Sequence, residues 1–408
     1  MKQTLRNNLN NIYNEKLGFI LIGLLPFFAT LGRSLLYIDL VLIGLYFVIL
    51  KIKFYKDIKI KLHVVVYALV LYFIITIFIN TLNYQLPYSN ALTTNFSVFI
   101  VTVLFLIIFS SFCFNFKKII PLLIKVMFYS IALLNIIYIL SFMLDINIII
   151  SLKSSKLVPY HHSFFHSAQS FYVVPIGIFL YYTLQNKNAI NIISLIIILV
   201  ATILLQGRTA ILTIITGLAI FFVFYYWEKT KKIYIILTLS AVGIATLLII
   251  SYISSGNLLG IEQIHTSGRI NGFSTYISYV NQKNTLLGIG ILGDNHMYHS
   301  GLMAYKHPHN IFMEAYVTMG FFGLFALSIL ILSLFTYIVK LAKFSKIEYA
   351  KPLLFSTLGS FLISSQAFWS IWSKNHLVLM LLYLLLAILI IDENHDNNHL
   401  KDKNDLLF

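Results

Sequence analysis

The sequence predicts a polytopic α-helical membrane protein. Of its 408 residues, 59% are hydrophobic and 11% are charged, whereas soluble globular proteins are roughly 45–50% apolar and about 25% charged. The apolar residues form long runs, among them 195–205, 233–253 and 321–339. A single soluble core stops growing near roughly 250–300 residues. The runs therefore exclude a soluble enzyme and a disordered chain, and the lone Cys113 excludes a disulfide scaffold.

Apolar segments of spanning length recur along the whole chain, which we treat as one integral membrane domain over residues 1–408. A helix needs about 20 residues to cross about 30 Å of hydrocarbon. Twelve segments come close to that length: 17–32, 34–50, 62–80, 96–115, 119–143, 168–185, 189–206, 209–227, 233–253, 309–339, 353–371 and 376–391. The first is expected to serve as an uncleaved signal anchor.

The basic residues predict the orientation of these spans. With the N-terminus inside, twenty Lys and Arg fall in inner segments and eight in outer segments, which satisfies the positive-inside rule. Both termini, including a tail over 392–408, are then cytoplasmic. The net charge of +15 is explained by these loops, so we expect no nucleic-acid partner.

The longest segment between spans, 254–308, is predicted to lie outside the membrane. It carries eight of the nineteen glycines, and loops of this length are usually functional. Within it, Phe273, Tyr276, Ile277 and Val280 recur at i, i+3, i+4 and i+7. This spacing predicts an amphipathic helix lying on the outer surface.

Two outer arginines are candidates for anion binding. Arg208 follows Gly207 at the start of the eighth span, where free N–H groups and the helix dipole favour anions. It could equally be an arginine that reaches the lipid headgroups. Arg269 begins the amphipathic segment; it is either an ordinary solvated arginine or a second guanidinium for a doubly charged pyrophosphate.

A histidine-rich motif opens the tenth span. It reads His307-Pro308-His309-Asn310, with Glu314 four residues beyond Asn310, and Pro308 suits a first helical turn. His309 is suited to accept a proton near neutral pH, or it is a boundary histidine beside a helix cap. A metal site at His161, His162 and His166 is the weaker interpretation, because no glutamate accompanies them as in metalloproteases.

These motifs together resemble the O-antigen polymerase and ligase superfamily. The resemblance covers residues 195–335 and rests on Gly207-Arg208-Thr209-Ala210, on Gly288-Ile289-Gly290, on His309-Asn310 with Glu314, and on Gly320-Phe321-Phe322-Gly323. Met313 stands where the family usually has leucine, a mild exchange.

The resemblance implies an enzyme that transfers glycans from undecaprenyl pyrophosphate at the outer side of the plasma membrane. It places the catalytic base on His309 and the pyrophosphate-binding arginines on Arg208 and Arg269, with His307, Asn310 and Glu314 as supporting residues. The donor and acceptor are lipid-linked oligosaccharides in the bilayer. No cofactor, metal or nucleotide sugar is expected, and whether a chain-length regulator takes part is left open.

Three functions remain at this point. A polymerase would join repeat units into a surface polysaccharide, and a ligase would move a finished glycan onto lipid A core or a protein. The His-Pro-His-Asn form and the lack of a segment typical of protein docking favour the polymerase. A flippase is disfavoured because the spans carry almost no mid-span charge, whereas transporters place ionisable groups deep inside.

Overall fold

The computed structural model describes residues 2–31, 33–53, 64–82, 91–115, 119–144, 150–153, 156–159, 173–204, 208–229, 266–291, 293–303, 308, 310–345, 347–365 and 378–391. These residues form thirteen helices: α1 Lys2–Leu31, α2 Arg33–Lys53, α3 Val64–Leu82, α4 Ala91–Asn115, α5 Ile120–Leu144, α6 Ile176–Gln185, α7 Ala189–Leu204, α8 Arg208–Glu228, α9 Thr266–Lys283, α10 Gly293–His299, α11 Ile311–Phe344, α12 Ala350–Ser365 and α13 Val378–Ile391. The helical fold class is thereby confirmed.

The helices overlap eleven of the twelve predicted spans, and the segment 233–253 lies outside the described residues. Within the described residues, four helices are long and apolar enough to cross a membrane: Phe96–Cys113, Ile120–Ser141, Thr209–Trp227 and Ile311–Phe344. Six further apolar stretches of helix are shorter, at 10–17 residues. The chain is thus a multi-pass membrane protein by its helices, and the count of twelve spans stays a prediction.

A small β-hairpin interrupts the helical pattern. Strands β1 Ile150–Lys153 and β2 Lys156–Pro159 pair antiparallel, with Ile150 opposite Pro159. The sequence analysis predicted only helices and missed this hairpin, because strands of four residues are too short to show a periodic hydrophobic pattern.

Among the N-terminal helices, α1 packs on both α2 and α5, and α7 also packs on α5. Aromatic side chains fill this part of the core: Phe112 meets Phe19 edge-on at 5.7 Å between ring centroids, and Phe128 stacks on Phe179 at 4.8 Å. Helix α3 joins this group to the C-terminal half, because it packs on both α4 and α11.

Helices α8 and α12 pack against each other, and small residues line their seam. The Ser356 hydroxyl donates to the Gly217 carbonyl at 2.6 Å, and the Ser360 hydroxyl donates to the Thr213 carbonyl at 3.4 Å. Small residues let helix backbones approach closely in a membrane, where hydrophobic attraction between helices is absent.

Helix α11 is broken at Gly320, which has φ 60° and ψ −151°. The predicted span over 309–339 corresponds to this helix, which begins at Ile311, continues to Phe344 and consists of two pieces on either side of Gly320. The piece after Gly320 is long enough to cross a bilayer alone at 1.5 Å per residue. The piece before it, from Ile311 to Met319, remains to pack against other parts of the chain.

Candidate functional site

The loop Asn284–Ile291, which we call the glycine loop, is hydrogen-bonded to the break in α11. The Ile289 and Gly290 amides donate to the Val317 and Thr318 carbonyls at 2.8 and 3.1 Å. In the reverse direction, the Phe321 and Phe322 amides donate to the Thr285 and Leu286 carbonyls at 3.0 and 3.3 Å, which are loop residues. The loop thus satisfies backbone groups that the break frees, as a broken membrane helix requires.

Glycine is required on both sides of this junction. Gly288 has φ 72°, and a Cβ there would lie 2.6 Å from the Gly320 and Met319 nitrogens. Gly320 has φ 60°, and a Cβ there would lie 2.4 Å from the Leu286 carbonyl carbon. The two glycine motifs are about thirty residues apart in the sequence, and their backbones contact each other in the structure.

Asn284 directly follows the last residue of α9 and is the first residue of the glycine loop. The Asn284 Oδ1 accepts from the Leu286 and Leu287 amides at 3.2 and 3.0 Å, and its carbonyl accepts from the Gly288 amide at 2.8 Å. An asparagine that binds its own following backbone in this way fixes a turn.

The helix predicted inside the large loop is observed as α9. Of its predicted apolar face, Tyr276 and Val280 are buried, Phe273 is half-buried and Ile277 is exposed. The buried side chains pack on Met297 and Met303, and also on Tyr316 and Val317 of α11. The described apolar face thus contacts protein, because the two helices in this loop have only small apolar surfaces and bury them against each other and α11.

The charges of two buried carboxylates act on the Tyr276 hydroxyl. Asp294 of α10 is 3% exposed, Glu314 of α11 is 2% exposed and Tyr276 is 1% exposed. Burial raises the pKa of the Tyr276 hydroxyl, and the negative charges of Asp294 and then Glu314 raise it further. The tyrosine therefore stays a neutral hydrogen-bonding group at physiological pH.

Asp294 was missed by the sequence analysis, which had singled out Tyr276 only as an apolar residue. The one available signal was an acidic residue three positions after Ile291, in a chain with only fourteen acids. Buried carboxylates are costly and mark sites where the surrounding structure supplies compensation.

Asn310 is the N-cap of α11. Its Oδ1 accepts from the Phe312 and Met313 amides, both at 3.0 Å. The helix begins at Ile311, so the expectation that Pro308 lies in its first turn is wrong: the cap is placed two residues later because the asparagine side chain satisfies the first free amides. His307 and His309 lie outside the described residues.

The two candidate arginines lie at helix starts. Arg208 is the first residue of α8, and Arg269 is the fourth residue of α9, seven positions before Tyr276. The structure describes the backbone of these two residues, and where their side chains point stays a prediction.

No group of three metal-ligating side chains occurs within the described residues. The candidate histidines at 161, 162 and 166 lie outside them. The metal interpretation is therefore untested.

An apolar groove of about 540 Å³ lies between α3 and α11. Its walls are almost entirely aliphatic and aromatic, and the end at Leu82, Leu287 and Phe322 adjoins the glycine loop. A second groove of about 420 Å³ lies between α2 and α4 and includes Gly44 in its wall.

Comparison with known families gives one result. Residues 193–328 match the O-antigen ligase family. This segment includes Arg208, Arg269 and the glycine junction, so the resemblance to the O-antigen polymerase and ligase superfamily is confirmed over the region where the motifs occur. None of the curated proteins matches the chain.

Proposed function

We propose that the protein is a glycosyltransferase that polymerises undecaprenyl-pyrophosphate-linked repeat units into O-antigen, capsular or exopolysaccharide. The reaction would occur at the outer face of the plasma membrane. The observation that carries this proposal is the glycine junction inside the segment that matches the O-antigen ligase family. It packs the motif-bearing loop against the helix that Asn310 caps, and His309 directly precedes this cap.

The proposed reaction is a displacement at the anomeric carbon. A hydroxyl of the acceptor sugar attacks that carbon, the bond to the pyrophosphate oxygen breaks, and the lipid pyrophosphate leaves. His309 takes the proton of the attacking hydroxyl, a role typically worth about 10²–10⁴-fold in rate. Arg208 and Arg269 stabilise the charge that accumulates on the leaving group, which favours the transition state over the ground state.

The supporting residues act on the backbone around His309. Asn310 fixes the start of α11 through two hydrogen bonds, and His309 is its neighbour in the sequence. Glu314 lies one turn into the helix and is buried beside Tyr276. We propose that it anchors α9, and with it Arg269, against α11; His307 remains a supporting candidate from the sequence.

Substitution of the proposed catalytic residues tests this assignment. We expect His309→Ala and Arg208→Ala each to abolish polymer while the protein remains in the membrane. His299→Ala and Lys283→Ala are matched controls, because both side chains are exposed on the described part of the same loop and have no proposed role. Long chains made by both test variants would refute the catalytic assignment.

The α3–α11 groove is the proposed binding site for the isoprenoid chain of the donor. Such a site must be apolar and must end near the reacting groups, and this groove ends at the glycine loop. Ala326→Trp would fill it. Each CH₂ group of the lipid that is excluded from the groove loses about 0.8 kcal/mol of binding free energy. Exclusion of two such groups would raise the KM for the lipid-linked donor about tenfold.

Gly44→Trp is the matched control for this variant. It would fill the α2–α4 groove, where a side chain at Gly44 meets no atom within 4 Å. The KM for the lipid-linked donor should then stay unchanged. Equal effects of the two tryptophans would contradict a specific seat between α3 and α11.

The acceptor distinguishes the polymerase from the alternatives. Purified protein with a lipid-linked repeat unit should yield a ladder of products if it is the polymerase. A single transfer that requires lipid A core or a protein would indicate the ligase. Movement of the substrate between leaflets without a new glycosidic bond would indicate a flippase.

A further inference from the structure

Asn80 of α3 is bonded to the glycine loop from outside the segment that matches the O-antigen ligase family. Its Oδ1 accepts from the Ile291 amide at 3.0 Å, and its Nδ2 donates to the Thr76 carbonyl at 2.8 Å. The side chain is 1% exposed and the two bonded residues are 211 positions apart.

Both the oxygen and the NH₂ group of the Asn80 side-chain amide are hydrogen-bonded. A buried amide is costly unless it is hydrogen-bonded, and here the NH₂ group faces a carbonyl while the oxygen faces an N–H donor. The bond to Thr76 lies within α3 and orients the side chain. The bond to Ile291 therefore fixes a point of the loop relative to α3.

The point that Asn80 holds lies between two parts of the site. The preceding residues Ile289 and Gly290 are bonded to α11 at Val317 and Thr318. Three residues after Ile291 comes Asp294, whose charge acts on Tyr276 together with that of Glu314. A displaced Ile291 would shift α10 and so change the distance between the two buried carboxylates.

We infer that Asn80 is a positioning residue that holds the glycine loop and α10 at the geometry needed for glycan transfer. This inference rests on the proposed function. It assigns a role in the site to the N-terminal half of the chain, because α3 lies outside residues 193–328. A misplacement of about 1 Å at a reacting site can cost about 10²-fold in rate.

The test compares Asn80→Leu with Asn135→Leu. Leucine has nearly the shape of asparagine without its hydrogen bonds. Asn135 is also fully buried, and its Nδ2 donates to the Ile131 carbonyl at 2.8 Å within α5. Both variants therefore lose a side-chain hydrogen bond within a helix, and Asn80→Leu also loses the bond to the glycine loop.

Two measurements are made on both variants: hydrogen exchange of the amides in 284–294, and kcat and KM for polymerisation of the lipid-linked repeat unit. We expect Asn80→Leu to accelerate exchange at Ile291 and to lower kcat 10- to 100-fold, on the scale of such misplacements. Asn135→Leu should leave both near the values of the unmodified protein. Unchanged exchange in Asn80→Leu, or faster exchange with unchanged kcat, would overturn the inference, as would equal losses in both variants.

Asn80→Asp keeps the test decisive if the leucine variant does not fold. A protonated aspartic acid can donate to Thr76 and accept from Ile291, and the carboxylate keeps the acceptor for Ile291 while it loses the donor to Thr76. We expect exchange at Ile291 and kcat, each relative to the unmodified protein, to change together at every pH, because both depend on the position of the loop. Fast exchange at Ile291 with unchanged kcat, or slow exchange with a 10- to 100-fold loss of kcat, would contradict the inference. If the unmodified protein makes no polymer, the proposed function fails, whereas the exchange measurement still decides whether Asn80 holds the loop.

Discussion

Gly320 is the residue on which the geometry of the site depends most directly. It combines a positive-φ backbone with contact against the glycine loop. Gly320→Ala should therefore be strongly destabilising: φ 60° with ψ −151° is a conformation adopted essentially only by glycine, which costs about 1–3 kcal/mol for a residue with a Cβ, and that Cβ would overlap the Leu286 backbone. We expect a fall in Tm of several degrees in detergent and loss of polymer formation.

Gly301→Ala separates the two contributions to this effect. Gly301 has a similar φ of 74°, but a Cβ there meets no atom within 4 Å. This variant should lose only the conformational part of the stability and should keep its activity. Equal losses of activity in the two variants would contradict the idea that the junction is sterically closed.

At the same scale, Glu348 tests whether charge stabilises the turn between α11 and α12. Its carboxylate lies 3.4 Å from the Lys229 ammonium at the end of α8. A hydrogen bond from Tyr349 and the contact with Lys229 hold the pKa of Glu348 below its ordinary 4.5. The folded protein therefore favours the ionised form, so its stabilisation is present above pH 4.5 and is lost as the pH falls through the folded-state pKa.

Glu348→Gln should consequently lower the Tm at pH 7 by a small amount, and this difference should shrink as the pH falls below 4.5. The effect is small because Glu348 is 61% exposed, and exposed ion pairs contribute little. The measurement is the Tm difference between the two proteins at several pH values. A difference that does not change with pH would mean that packing, and not charge, is responsible.

At the scale of elements, the α8–α12 seam explains how Arg208 is held at a fixed place. Arg208 begins α8, so the position of that helix sets where its first residue lies. A Cβ on Gly217 would lie 2.3 Å from the Ser360 hydroxyl oxygen and 2.5 Å from an Ile176 methyl carbon. The seam therefore has no room for a larger side chain.

Gly217→Leu is expected to separate α8 from α12 and to lower both Tm and activity. Overpacking of a tight interface typically costs about 1–3 kcal/mol. Gly44→Leu is the control, because Gly44 also lies within a helix but has open space beside it. Thermal unfolding of the two variants in the same detergent measures the difference, and similar stabilities would show that the seam is not closely packed.

The apolar helices could be predicted from the sequence because each carries its own apolar run, whereas the short polar helix α10 carries none and was not predicted. The N-cap at Asn310 and the helix start at Arg208 were also readable, since both depend on neighbouring residues. The pairing of Gly288 with Gly320 could be suspected only from the family resemblance, because it joins segments about thirty residues apart. Asn80 and Asp294 could not be found: their roles depend on tertiary contacts that leave no local pattern.

At the scale of the whole molecule, two observed contacts agree with the predicted alternation of inner and outer segments between the spans. Lys229 and Glu348 belong to segments predicted to be inner, and they meet. Asn80 and Ile291 lie at or beside segments predicted to be outer, and they meet as well. The proposal that the reaction is extracytoplasmic depends on this alternation, which the helices alone do not establish.

Cysteine labelling tests the orientation directly. Cys113 is the sole cysteine and is buried, so Cys113→Ala provides a background without thiols. In that background, Lys283→Cys and Lys343→Cys place one thiol each at exposed lysines on α9 and at the end of α11. A membrane-impermeant maleimide should label Lys283→Cys in spheroplasts whose plasma membrane is intact. It should label Lys343→Cys only after that membrane is permeabilised. The reverse pattern would place the glycine junction in the cytoplasm. It would therefore contradict the proposal that glycan transfer occurs at the outer face of the membrane.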